Sequence, residues 1–316
     1  MNAQHIELPY YQEWGTGDPV IALHPLALES TAFAGVARVL AARGLRTLAV
    51  DLPGFGRTPA PAGPLTPARL AEPVVELARS LESPPIILGM SMGGRVALEA
   101  ALQHPRIFRG VVMVAPYLPW RRFRWAMPAA RFLDPAWAER LPLEKIWPLL
   151  KSVAEAIEAQ PRFDHDWFAR ACVRVVYYSS CAATRASFIS AARELALDPA
   201  FGEQGVWTRL ARLKVPTAFL WAGRDGLIPA DHAEHAASAL PRSHRLEVPC
   251  SAHFVNGEHF RCLEHAIAMA VTAVSEGAGH RRRQARKHTL TPCLADVPMA
   301  VGDELPEPPH RASEMA

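Results

Sequence analysis

Six short apolar runs recur along the first 250 residues, and most are followed by a stretch with the period of an amphipathic helix. They read VIALH (20–24), LRTLAVD (45–51), PIILGM (85–90), GVVMVA (110–115), PTAFLWAG (216–223) and HRLEV (244–248). Each is almost continuously apolar, as a strand covered on both faces must be. Helical periodicity falls at 30–43, 67–82, 92–104, 231–240 and 258–275. Strand then helix, repeated, dictates an α/β fold: a mostly parallel central sheet with helices on both faces. HIELPYYQEW, ahead of the first buried run, alternates as an antiparallel edge strand would, with Pro9 tolerable only near an edge.

The alternation stops between Pro116 and Val206, where the pattern is helical and holds five of the eight tryptophans: Trp120, Trp125, Trp137, Trp147 and Trp167. This reads as an inserted helical cap (117–206) between two strands of a core made of 1–116 and 207–277. Most of these aromatics are expected to pack the insertion's own small core; the alternative is that a few line a pocket between insertion and core. Beyond Gly277 come a basic run, HRRRQARKH (280–288), and an acidic, proline-rich end without periodicity. Such a composition buries too little apolar surface to fold, so 278–316 is expected to be a disordered, solvated tail.

With 50% hydrophobic residues, the 316-residue chain can build a sizeable core, and its formal net charge of +3 is too slight to imply a nucleic-acid partner. Cys172, Cys181, Cys250, Cys262 and Cys293 form neither a C-x-x-C pair nor a zinc-like spacing, which reads as reduced thiols. Glu7 and Pro9 stand where a secretory leader would carry its apolar segment, and no run approaches the ~20 apolar residues of a membrane span. The expectation is a cytoplasmic protein acting on a small molecule, with no metal or organic cofactor. The oligomeric state stays open.

The chemistry concentrates at LGMSMGGRVAL (88–98), where Ser91 stands between a strand and a helix inside G-x-S-x-G. A nucleophile lifted clear of a sheet needs a tight turn, where close backbone approach leaves no room for a Cβ at Gly89 or Gly93. The helix that follows offers unpaired N–H groups and a favourable dipole to developing negative charge. A serine hydroxyl is inert until a base takes its proton and an acid orients that base. LWAGRDGLIP delivers Asp225 at one strand end, and EVPCSAHFVNG delivers His253 at the next. The order Ser91, Asp225, His253, each at a carboxyl strand end, fits the place where open parallel sheets carry their sites. Competing positions are His259, which reads as the start of the last helix, and Asp231, which reads as a helix cap. Asp51 reads as a turn organiser and His24 as a buried brace.

LHPLALES, VDLPGFGRT, GMSMGG, WAGRDGLIP and SAHF together resemble a cap-bearing serine hydrolase of the α/β-hydrolase superfamily, over roughly residues 5–276. The resemblance implies an α/β-hydrolase fold, a Ser91–His253–Asp225 triad and an oxyanion hole built from the amides of Met92 and Leu26. The family usually has His-Gly where this chain has His24-Pro25. The donor would be Leu26, so the hole survives if the loop keeps its course. An aspartate nucleophile would mark a dehalogenase or epoxide hydrolase, and Ser91 excludes both. The SMGG run resembles carbon–carbon bond hydrolases of ring-cleavage products, whereas Phe254 departs from their usual tryptophan. The aromatic-rich insertion, read as a lid over the site, suggests a small to medium, largely apolar substrate, and an ester is the expected class. Carbon–carbon hydrolysis, acyl transfer or perhydrolysis on the same triad remain alternatives, and a non-catalytic ligand-binding role is the alternative of another class.

Overall fold

The computed structural model describes residues 7–119, 130–140, 145, 147–159, 173, 175–178, 180–223, 225, 228, 231–248, 258–277 and 287–289. Its centre is a sheet of eight strands: β1 (Tyr11–Trp14), β2 (Asp18–Leu23), β3 (Leu45–Val50), β4 (Ile86–Met90), β5 (Gly110–Val114), β6 (Thr217–Ala222), β7 (His244–Val248) and β8 (Lys287–Thr289). Their spatial order is β1-β3-β2-β4-β5-β6-β7-β8, and only β1 runs antiparallel to its neighbour. Every apolar run named above forms a strand, and β1 begins just after Pro9, at the edge where a missing N–H costs least.

Side chains alternate across the sheet. Ile21 and Leu23 enter one core, with helices α2 (Pro67–Ser80) and α3 (Met92–Gln103). Val20 and Ala22 enter the other, with α1 (Ala34–Ala41). A period of two along a strand produces this division, and it explains why both faces of the sheet are dry. The helix expected over 30–43 starts as a 3-10 turn, Ser30–Phe33, before α1 begins. Its entry is tied elsewhere, because the Ser30 N–H donates to Asp51 Oδ1 at 2.7 Å.

Between β5 and β6 the described residues hold helices α4 (Pro135–Arg140), α5 (Trp147–Glu158), α6 (Ala182–Leu197) and α7 (Val206–Leu210), and no strand. Trp147 meets Tyr177 edge-on at 6.4 Å, an aromatic pair internal to the insertion. Helix α6 also reaches the first core through Ala191 and Leu195, and its Ser190 hydroxyl accepts from the Leu65 N–H at 3.0 Å. The chain then adds α8 (Asp231–Ala239) beside the first core and α9 (Glu258–Gly277) against the second.

Strand β8 lies within the stretch expected to lack structure: Lys287–Thr289 pair with Arg245–Glu247 of β7. Three residues of backbone pairing at an open sheet edge require no apolar side chain, so composition does not report them.

Candidate active site

The strand order reverses at β2. From β2 the chain steps outward to β3, then returns to lay β4 on β2's other side, so the carboxyl ends of β2 and β4 flank a crevice between loops that diverge. Leu23 and Gly89 are paired there, which places the His24–Leu28 loop and the turn at Ser91 side by side. One row farther, Met90, Val114, Leu220 and Leu246 lie in register across β4 to β7. The loops carrying Ser91 and Asp225 therefore leave the same rim of the sheet. His253, which belongs to the loop after β7, lies outside the described residues, as do Cys250 and the tryptophans at 120, 125 and 167.

Ser91 sits at φ 50, ψ −113, a conformation rare for a residue with a side chain. Three backbone hydrogen bonds hold it. Its N–H donates to the Val114 carbonyl at 2.9 Å, and its carbonyl accepts from Tyr117 at 2.9 Å and Arg95 at 3.1 Å. Strain of this kind persists only where the surroundings over-determine it. A Cβ on Gly89 would lie 2.2 Å from the Gly93 carbonyl oxygen, and one on Gly93 would lie 2.1 Å from that of Leu23. Both clashes are with backbone, so the turn admits glycine alone. Met92 follows as the first residue of α3, and Ser91 itself is 7% exposed.

The loop opposite is equally constrained. Within Pro25–Leu28 the Leu28 N–H donates to the Pro25 carbonyl at 3.3 Å, and Ala27 takes φ 61. His24 is fully buried and accepts from the Leu52 N–H on Nε2 at 3.0 Å, leaving Nδ1 protonated to donate to the Pro25 carbonyl at 2.8 Å. Burial lowers its pKa to about 4 against the raising effects of the Pro25 carbonyl and Asp51, so the ring is neutral at pH 7. A trans peptide aims its N–H opposite to its C=O. Clamping the Pro25 carbonyl therefore fixes the direction of the Leu26 N–H. Asp51 does organise turns: its carboxylate accepts from Ser30 at 2.7 Å and from Arg57 at 2.9 Å.

Asp225 lies three residues beyond β6, and its Oδ1 accepts from the Ile228 N–H at 2.7 Å, closing a turn that holds the carboxylate in place. Asp231 opens α8, and α9 begins at Glu258, so both competing positions fall at the helix starts read for them.

Sequence reasoning passed over three side chains that brace this site. Arg95, one turn past Ser91 and buried, reaches Asp198 at the end of α6 with two hydrogen bonds, 2.5 and 3.2 Å. It also donates to Glu99 at 2.8 Å, and Glu99 in turn receives Arg209 of α7 at 2.6 and 2.9 Å. Burial works against both charges. Asp198 and Glu99 nonetheless keep the Arg95 guanidinium above its usual range, and Arg209 with Arg95 draws Glu99 down to about 2. The third is Tyr178, whose hydroxyl donates to the Leu28 carbonyl at 2.7 Å. Among the described residues no group of three or more His, Cys, Asp or Glu could hold a metal ion, and no helix is long and apolar enough to cross a membrane.

A sheet reversing at β2, with a serine on a forced turn at the reversal, is the architecture of the hydrolases that attack acyl carbons through a strand-end nucleophile. Comparison with known families agrees. The alpha/beta hydrolase fold family matches residues 18–260, and the chain belongs to it. It is 27% identical over 268 residues to the pimeloyl-[acyl-carrier protein] methyl ester esterase of Chromobacterium violaceum, covering 82% of this chain and 96% of that one. The enzyme of the same description from Aeromonas hydrophila is 36% identical over 106 residues, 33% of this chain and 40% of its own. Among solved structures, a thermophilic esterase from Thermogutta terrifontis superposes with a TM-score of 0.64 at 21% identity, over 84% of this chain and 93% of that one. The protein is an esterase-type hydrolase.

Proposed function

We propose that the chain hydrolyses a small to medium, largely apolar carboxylic ester through an acyl-enzyme on Ser91. The observation that carries this reading is the Ser91 turn, held at φ 50 beside the β2 loop at the strand-order reversal. In the first step Ser91 Oγ bonds to the carbonyl carbon while its proton passes to His253, which Asp225 orients, and the carbonyl π pair moves onto oxygen. The amides of Met92 and Leu26 receive that oxyanion. Its collapse expels the alkoxide, which takes the proton from His253. Water then repeats the sequence on the acyl-enzyme and releases the acid. The relatives' names supply the ester class. The clamp on the Pro25 carbonyl supports Leu26 as the second donor despite the proline. We assign 117–206 as the cap that covers the substrate and the remainder of 1–277 as the catalytic core.

Fluorophosphonate labelling and turnover of p-nitrophenyl esters of graded chain length test the assignment. Ser91→Ala is expected to abolish both, and equal labelling of wild type and variant refutes it. Turnover of a ring-cleavage dienoate in place of the esters would move the reaction to carbon–carbon hydrolysis.

A further inference from the structure

The loop that carries Leu26 is held at two points, and they belong to different parts of the molecule. At its start, His24 of the sheet domain grips the Pro25 carbonyl. At its end, the Leu28 carbonyl is held by the hydroxyl of Tyr178, 150 residues away in the insertion. Tyr178 is itself fixed: its own carbonyl accepts from the Thr184 hydroxyl at 2.6 Å, in the first turn of α6. Its ring packs on Phe55 at 6.0 Å, and Phe55 packs edge-on against His24 at 5.4 Å. Between the two anchors lie Leu26 and Ala27, the latter at φ 61 without being glycine. A left-handed alanine costs about 1 kcal/mol or more and returns to an ordinary conformation once its restraints loosen.

We infer that Tyr178 is a positioning residue for the hydrolysis: seating of the insertion on the core sets the course of the Pro25–Leu28 loop and so completes the oxyanion hole. This rests on the reading of Ser91 and the Leu26 amide given above. The tyrosine's hydroxyl donates to the Leu28 carbonyl. It acts on the loop's far end, and the Leu26 N–H answers because the near end is already fixed by His24. An amide misplaced by a fraction of an ångström loses little contact with a planar ester. It loses much with the tetrahedral oxyanion, whose charge is greatest at that point.

Tyr178→Phe keeps the ring on Phe55 and removes only the hydroxyl. With p-nitrophenyl butyrate as substrate, kcat/KM is expected to fall by about tenfold with KM changed by less than about twofold. An alkyl trifluoromethyl ketone reports the same group independently, since Ser91 Oγ adds to its carbonyl carbon, the proton goes to the base and the π pair becomes an oxyanion in the hole. Its affinity is expected to fall in parallel, while inhibition by butyrate, the product acid, stays within about twofold. Thr184→Val, which removes the hydroxyl bond to the tyrosine's carbonyl without touching the loop, is expected to shift the same quantities in the same direction. Should Tyr178→Phe fail to fold, Thr184→Val carries the test alone. Unchanged kcat/KM and ketone affinity overturn the inference, and so does an equal loss for ketone and butyrate, which would make Tyr178 a general support of the pocket. Failure of the underlying reading shows differently, as turnover that survives Ser91→Ala.

Discussion

Acidification to pH 5 is expected to weaken the fold through His24. The ring is fully buried, spends Nε2 on the Leu52 N–H and Nδ1–H on the Pro25 carbonyl, and cannot take a second proton without losing the first bond. Its pKa falls from 6.5 in the unfolded chain to about 4 in the folded one. The unfolded state therefore binds more protons between those values, and stability rises with pH across that window. Linkage gives RT ln[(1 + 10^(6.5−pH))/(1 + 10^(4−pH))], which is about 0.2 kcal/mol at pH 7 and about 2 kcal/mol at pH 5, a loss of about 2 kcal/mol from this ring. Urea unfolding at pH 7, 6 and 5, for wild type and His24→Asn, isolates the effect, since every other histidine contributes to both proteins. The wild type should lose about 2 kcal/mol more than the variant over the interval. Parallel pH dependences would refute the claim that His24 is held neutral by its two backbone partners.

Gly93→Ala places a methyl group against the Leu23 carbonyl, so it is expected to cost about 3 kcal/mol or more and to slow fluorophosphonate labelling, read by thermal unfolding and a labelling time course. Glu99→Gln leaves buried Arg95 with Asp198 alone and strips Arg209 of its carboxylate, an expected loss of about 3 kcal/mol at pH 7 by urea titration. Because the Glu99 pKa is depressed to about 2, its contribution is complete above pH 4.5 and fades as pH falls toward 2. The gap between wild type and Glu99→Gln should narrow over that lower window, which meets the range in which His24 acts only between about pH 4 and 4.5.

Much of the sheet was legible because strands buried on both faces announce themselves as apolar runs, and β2 to β7 lie within a residue or two of the runs. The turn at Ser91 was legible for a related reason: glycine at 89 and 93 is demanded by backbone approach, and such demands leave a mark in sequence. What did not show is whatever depends on a distant partner. Ala27 adopts a left-handed conformation that no glycine announces, because hydrogen bonds from His24 and Tyr178 hold the loop around it. Arg95 and Glu99 sit four apart on one helix and become a buried network only once Asp198, about a hundred residues later, lands on them. The 3-10 entry at Ser30 answers to Asp51, and β8 to the open edge of β7. His253, assigned by chain order, lies outside the described residues.

The central strands β5 and β6 are parallel neighbours, and the chain passes from Val114, where β5 ends, to Thr217, where β6 begins, through the whole insertion. The entropy of closing such a loop grows only logarithmically, about 0.6 kcal/mol for each doubling of its length. The segment can thus be exchanged between homologues with little penalty to the sheet. The exchange has a natural suture: α6 and α7 are stitched to the core by Arg95, Glu99 and Leu65, and Tyr178 to the Leu28 carbonyl, so a chimera that keeps 178–210 and replaces what precedes it inherits a ready-made docking frame.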